Sequence, residues 1–108
     1  MDGLDLTVDE LYEVLSDGTR RRLLWTMLDR GHPGGVDVPE ELPGADGSRR
    51  RTRIRFQHVH LPKLVRTGLV RWDDDRGELR MGPAFDRAEP LLSAARDRER
   101  TVQLPGAV

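Results

Sequence analysis

Two short strand-like runs, Leu69 to Trp72 and Leu79 to Met81, interrupt a chain whose apolar residues otherwise recur at helical spacing. The connector Asp73-Asp74-Asp75-Arg76-Gly77-Glu78 is polar and contains the glycine a hairpin needs. One hairpin among helices makes the fold class mainly α with a small β-hairpin. The 108 residues suit one domain rather than two independent cores. That domain is expected over 1–100, with a flexible tail over 101–108.

Thr7 and Glu10 have capping-box spacing, and Val8, Leu11, Tyr12 and Leu15 follow at i, i+3, i+4 and i+7, so a first helix is predicted over 8–15. Ser16 or Asp17 can cap a second helix, whose face carries Arg20, Leu23, Leu24, Met27 and Leu28 and which stops at Gly31. After a loop at Gly31 to Gly35, Pro39 suits the first turn of a short third helix ending near Leu42. Pro43 to Ser48 is a turn-rich break. From Arg49 to Thr67, Ile54, Leu61, Leu64 and Val65 share one face at about 100° per residue, with a bend expected at Pro62. Phe85, Ala88, Leu91, Leu92 and Ala95 keep helical spacing in a last helix despite Pro90, and fraying is expected beyond Arg100.

Composition removes several classes of function. With no cysteine there is no disulfide, zinc-thiolate site or thiol nucleophile. Apolar runs are only a few residues long and the acidic N-terminus has no signal-peptide pattern, so the expectation is a soluble, cytoplasmic protein with no membrane partner. The sequence has no phosphate-binding glycine loop, nucleophile elbow or paired carboxylates on a shared face, so no enzyme and no cofactor is expected. His58 and His60 point about 200° apart on a helix and cannot chelate one ion there; structural roles are expected, with His60 on a helix flank and His58 beside the core. Asp73 to Asp75 lack the glycine-spaced surroundings of a calcium loop and read as solvated acids.

Val14-Leu15-Ser16-Asp17-Gly18-Thr19-Arg20-Arg21-Arg22-Leu23-Leu24 resembles the opening of arsenic-repressor-type winged-helix regulators, where a leucine, a small capping residue and a Thr-Arg pair start the main support helix. His60-Leu61-Pro62-Lys63-Leu64-Val65-Arg66-Thr67-Gly68-Leu69-Val70 is similar to the end of that family's recognition helix as it enters the first wing strand. With His58 and Val59 added, the segment looks closer still to uncharacterised winged-helix domains common in halophilic archaea. The order helix, helix, short helix, long helix, hairpin, helix is also a winged-helix order. The resemblance spans about Val8 to Leu92 and implies a winged helix-turn-helix fold that regulates transcription, with the hairpin as the wing. The short third helix and the Pro43 to Ser48 linker depart from the family pattern. Metal-sensing relatives use cysteine or clustered histidine and acid ligands that this sequence lacks, so metal sensing is not carried over.

Charge placement points the same way. From Gly47 through Trp72 the chain has eight of its 18 lysines and arginines and none of its 19 acidic residues. Arg49, Arg50, Arg51, Arg53, Arg55, Lys63, Arg66 and Arg71 are therefore candidate contacts to double-stranded DNA, since each cation that neutralises a phosphate releases a condensed counterion. On a wheel for 49–67, Thr52, Arg55, Lys63 and Arg66 lie opposite Leu61, and Arg55 and Gln57 are candidate base readers. Arg49 to Arg51 fit either that helix or a solvated arm before it. Phe56 and Val59 fall on the same outward side, where they fit thymine methyls, a partner chain or an interruption of the helix. The wing balances Arg71, Arg76 and Arg80 against four acids, so its tip would repel phosphate unless turned aside.

The expected function is a DNA-binding transcriptional regulator acting as a homodimer through Phe85, Ala88, Leu91, Leu92 and Ala95. The competing reading is a winged-helix protein-interaction module without sequence-specific DNA binding. The sequence reveals no effector ligand.

Overall fold

The computed structural model of the chain describes residues 6–31, 36–37 and 49–108. Helix α1 spans Val8–Leu15 and opens with the expected capping box. Glu10 N donates to Thr7 Oγ1 at 3.1 Å, and Thr7 N donates to Glu10 Oε1 at 2.9 Å. These bonds satisfy donors that a first helical turn leaves without partners. Leu11 and Val14 turn inward, while Val8 and Tyr12 stay exposed.

Helix α2 spans Gly18–Arg30. Asp17, not Ser16, is its N-cap: Asp17 Oδ1 accepts from Thr19 N at 2.8 Å and Arg20 N at 3.2 Å. Gly31 ends the helix at φ 71°, left-handed backbone that a side chain would disfavour. Leu23, Leu24, Trp25 and Met27 form its buried side.

A two-residue strand that the sequence reading did not anticipate, β1 (Val36–Asp37), follows α2. It joins β2 (Val70–Asp73) and β3 (Glu78–Met81) in an antiparallel sheet of order β1-β3-β2, with Val36 opposite Leu79 and Val70 opposite Met81. Two residues are too few to show alternation, so β1 exists through its partner β3 rather than through a pattern of its own. The expected short helix from Pro39 and the Pro43 to Ser48 linker lie outside the described residues. The hairpin is as expected, its last turn closed by Gly77 at φ 65° with Gly77 N donating to Asp73 O at 2.8 Å.

Between β1 and β2 runs a composite helix: α3 (Arg49–Arg55), a π-helical turn (Phe56–His60) and α4 (Leu61–Arg66). The wide turn is marked by Leu61 N–H donating to Phe56 O, five residues back. Pro62 gives a reason for it. Proline cannot donate to the carbonyl four residues back and its ring collides with that group, a conflict relieved when the preceding turn widens.

The extra residue moves everything before it by about 100° relative to a uniform wheel. Phe56 thereby swings to within about 20° of Leu64, and Ile54 swings to the opposite side. Phe56 is 1% exposed and Ile54 47%, the reverse of the uniform projection. Val65, also placed on the core face by that projection, is 43% exposed. Of the three explanations open for an outward Phe56, interruption of the regular helix is the one realised.

Helix α5 (Phe85–Glu99) continues through Pro90 and packs Phe85, Ala88 and Leu92 into the core. Its end is fastened to α2, because Glu99 accepts from Trp25 Nε1 at 2.5 Å and from Arg21 Nε at 2.6 Å. Gly106 O accepts from Arg21 Nη2 at 2.9 Å, and Val108 packs against the core. One apolar cluster draws on α1, α2, the composite helix, the hairpin and α5. No helix among the described residues is long and apolar enough to cross a membrane.

Candidate functional site

The described part of the acid-free segment forms the composite helix and the first three residues of strand β2. Arg49 to Arg51 belong to α3 rather than to an arm preceding it, although the side chains of Arg49, Arg50 and Thr52 lie outside the described residues. Arg51, Arg53, Arg55, Gln57, His58, Arg66 and, on β2, Arg71 are all exposed. Among the described residues, none of Arg53, Arg55, Arg66 and Arg71 takes part in an ion pair. Ile54 and Val59 stand between these cations, Val59 being 41% exposed, and Val65 lies farther along.

Lys63 is placed differently from the arginines. Its Nζ lies 2.7 Å from Glu13 Oε2 on α1, and this hydrogen bond, with the lysine charge, holds the Glu13 carboxyl below its ordinary value. Lys63 thus ties the composite helix to α1 at the surface, where such a pair adds little stability.

Phe56, His60, Leu64 and Thr67 anchor the helix from within. The rings of Phe56 and His60 lie 6.4 Å apart at 45°. His60 is buried, not on a flank, since it stands one turn before the buried Leu64, and His58 is exposed, not beside the core. Arg20, buried in α2, links three parts of the chain: its Nε donates to Val14 O at 2.8 Å, its Nη2 to Glu13 O at 3.1 Å, and its Nη1 meets His60 Nδ1 at 3.1 Å. Burial pushes the His60 imidazole down from its ordinary value; Asp17 opposes this and Arg20, Arg55 and Lys63 reinforce it. Burial pushes the Asp17 carboxyl up, but the backbone donors of Arg20 and Thr19 and the nearby His60 and Arg20 hold it below the ordinary value.

Sequence reading selected Arg20 only as a position on a helical face. Its Thr-Arg context offers no cue to a contact with a histidine 40 residues later, because that proximity arises only when α2 and the composite helix pack.

The acids of the hairpin largely serve the hairpin itself. Asp73 Oδ1 accepts from Asp75 N at 3.0 Å and Arg76 N at 3.2 Å, and these backbone donors, Arg76 first, hold its carboxyl below the ordinary value despite some burial. Arg80 lies between Asp73 at 3.4 Å and Glu78 at 3.2 Å, and Trp72 Nε1 donates to Asp74 Oδ1 at 2.7 Å. Arg80 is therefore committed within the hairpin, and the exposed tip keeps Asp74 and Asp75.

The residues expected at a dimer interface divide into two groups. Phe85, Ala88 and Leu92 are buried in the chain's own core and offer no surface to a second copy. Leu91 and Ala95 are partly exposed. Leu91 borders a shallow groove of about 290 Å³ between α1 and α5, together with Leu6, Val8 and Pro90.

Residues 35–80, less than half of the chain, match a family described as a domain of unknown function (DUF7344). That match runs from β1 to within β3 and takes in every candidate cation from Arg49 to Arg71. No curated protein and no solved structure matches the chain.

Proposed function

We propose that this chain is a winged helix-turn-helix regulator of transcription that binds double-stranded DNA, with the composite helix as its recognition helix and the β2–β3 hairpin as its wing. The observation that carries this reading is the set of exposed cations Arg53, Arg55, Arg66 and Arg71, none of which forms an ion pair among the described residues, although the Arg66 charge also reaches Glu13. A duplex presents a dense line of phosphates, and such cations gain affinity by displacing its counterions. Gln57 offers an amide to base edges, and Ile54 and Val59 offer apolar contact to thymine methyls. The acidic wing tip stays off the phosphate backbone in this arrangement, leaving the helix as the principal contact.

Salt titration of binding to a random duplex tests the reading. The logarithm of the affinity should fall linearly with the logarithm of salt concentration, by about 0.9 for each phosphate neutralised. Arg55→Ala and Arg66→Ala should each reduce the slope by about 1, whereas Lys63→Ala should reduce it less, because Glu13 already holds that lysine. A response flat in salt would instead favour a protein-interaction module, a reading consistent with the exposed Ile54, Val59 and Val65.

A further inference from the structure

The π-helical turn is held by a contact that works in only one protonation state of His60. Arg20 Nη1 lies 3.1 Å from His60 Nδ1, and a guanidinium has donors but no acceptor. His60 Nδ1 must therefore accept, which places the ring proton on Nε2, the nitrogen 3.9 Å from Asp17 Oδ1. A second ring proton would set donor against donor at Nδ1 and bring two cations together in a buried site. Arg20 cannot turn aside freely, because its other donors hold the carbonyls of Val14 and Glu13.

We infer that His60 and Arg20 form a proton-sensitive pin: neutral His60 fixes the π-helical turn on α2, and protonated His60 releases the turn and with it the phase of the cations on α3. The consequence for DNA rests on the proposed function above; the pin itself does not.

The charged groups around His60 decide the direction. On α2, Arg20 opposes protonation and Asp17 favours it; on the composite helix, Arg55 and Lys63 oppose it, and burial opposes it most. From α1, Glu13 contributes a backbone carbonyl to Arg20 and its carboxylate to Lys63. The folded-state value is thus lowered, so the pin is fully effective above the ordinary histidine value of 6.5 and is lost as pH falls through the lowered folded value. Asp17 and Glu13 are themselves shifted down, so they remain ionised across this interval.

The test follows duplex affinity at fixed salt from about pH 7.5 to about pH 5.0 in a His58→Asn background, which removes the exposed imidazole next to the turn. Affinity should fall about tenfold toward the acidic end, opposite to the tightening that an added surface cation produces. Adding His60→Asn, whose Oδ1 supplies a non-titrating acceptor near the Nδ1 position, should flatten the profile. The same acid-dependent fall in both proteins would overturn the proposal. NMR of the DNA-free protein provides the second arm: His60 should titrate below ordinary histidine while protection of the Leu61 amide, its exchange corrected for the base-catalysed intrinsic rate, is lost over the same interval. If no duplex binds at any pH but these two changes coincide, the DNA reading fails and the pin stands. A His60 that titrates at the ordinary value, or a Leu61 amide whose protection is unaffected by its titration, would overturn the pin.

Discussion

Replacing Phe56 with alanine should lower the free energy of unfolding by about 3–5 kcal/mol, measured by urea denaturation. The ring is almost wholly buried and meets His60 from within the wide turn, so truncation leaves a cavity where the composite helix is anchored. The neighbouring Gln57 is exposed, and Gln57→Ala should change stability by no more than about 0.5 kcal/mol. The contrast between adjacent positions tests helical phase directly. On a uniform wheel Ile54 would be the costly position, so an Ile54→Ala variant less stable than Phe56→Ala would refute the π-helical turn.

Gly82→Ala should be the second severe change, at about 2–4 kcal/mol. A Cβ on Gly82 would come within 2.3 Å of Gly68 O and 2.9 Å of Val70 N, both backbone atoms that cannot swing away. The crossing there is already fixed by Gly82 N donating to Leu69 O and Ala84 N donating to Gly68 O, each at 2.9 Å. The substitution therefore separates the end of the composite helix from the start of α5. Gly77→Ala is the matched control: its site is open, and the cost there is only that of positive φ, about 1 kcal/mol. Equal losses at the two glycines would argue against the close backbone approach.

The parts legible in the sequence are those fixed by local chemistry. The capping box at Thr7 and Glu10, the stop at Gly31 and the turn ending at Gly77 each need only a few neighbouring residues, and each falls where its residues indicate. Strand β1 was hidden because two residues carry no period. Ile54 and Phe56 fall on the opposite sides from a uniform wheel because such a wheel assumes constant phase, and one added residue ahead of Pro62 breaks it; the exposure of Val65, which follows Pro62, is not explained by that change. The apolar spacing in α5 was read correctly as a stripe, but spacing cannot say whether Phe85, Ala88 and Leu92 meet their own chain or another; they meet their own.

The candidate site divides along the same line. Its arginines could be identified from charge alone, since the absence of acids from Gly47 to Trp72 is a property of the sequence. The commitment of Lys63 to Glu13, and of His60 to Arg20, could not, because each pairing spans 40 residues or more and exists only once the helices have packed.

In the proposed function the composite helix meets a duplex with its exposed cations. Titrating a duplex into isotopically labelled protein and following backbone amide shifts tests it most directly. The largest changes are expected at Arg53, Arg55, Gln57, Arg66 and Arg71, with little change along the core-facing side of α5 at Phe85 and Leu92. Changes confined to α1 and α5, or none at duplex concentrations well above the protein's, would contradict it.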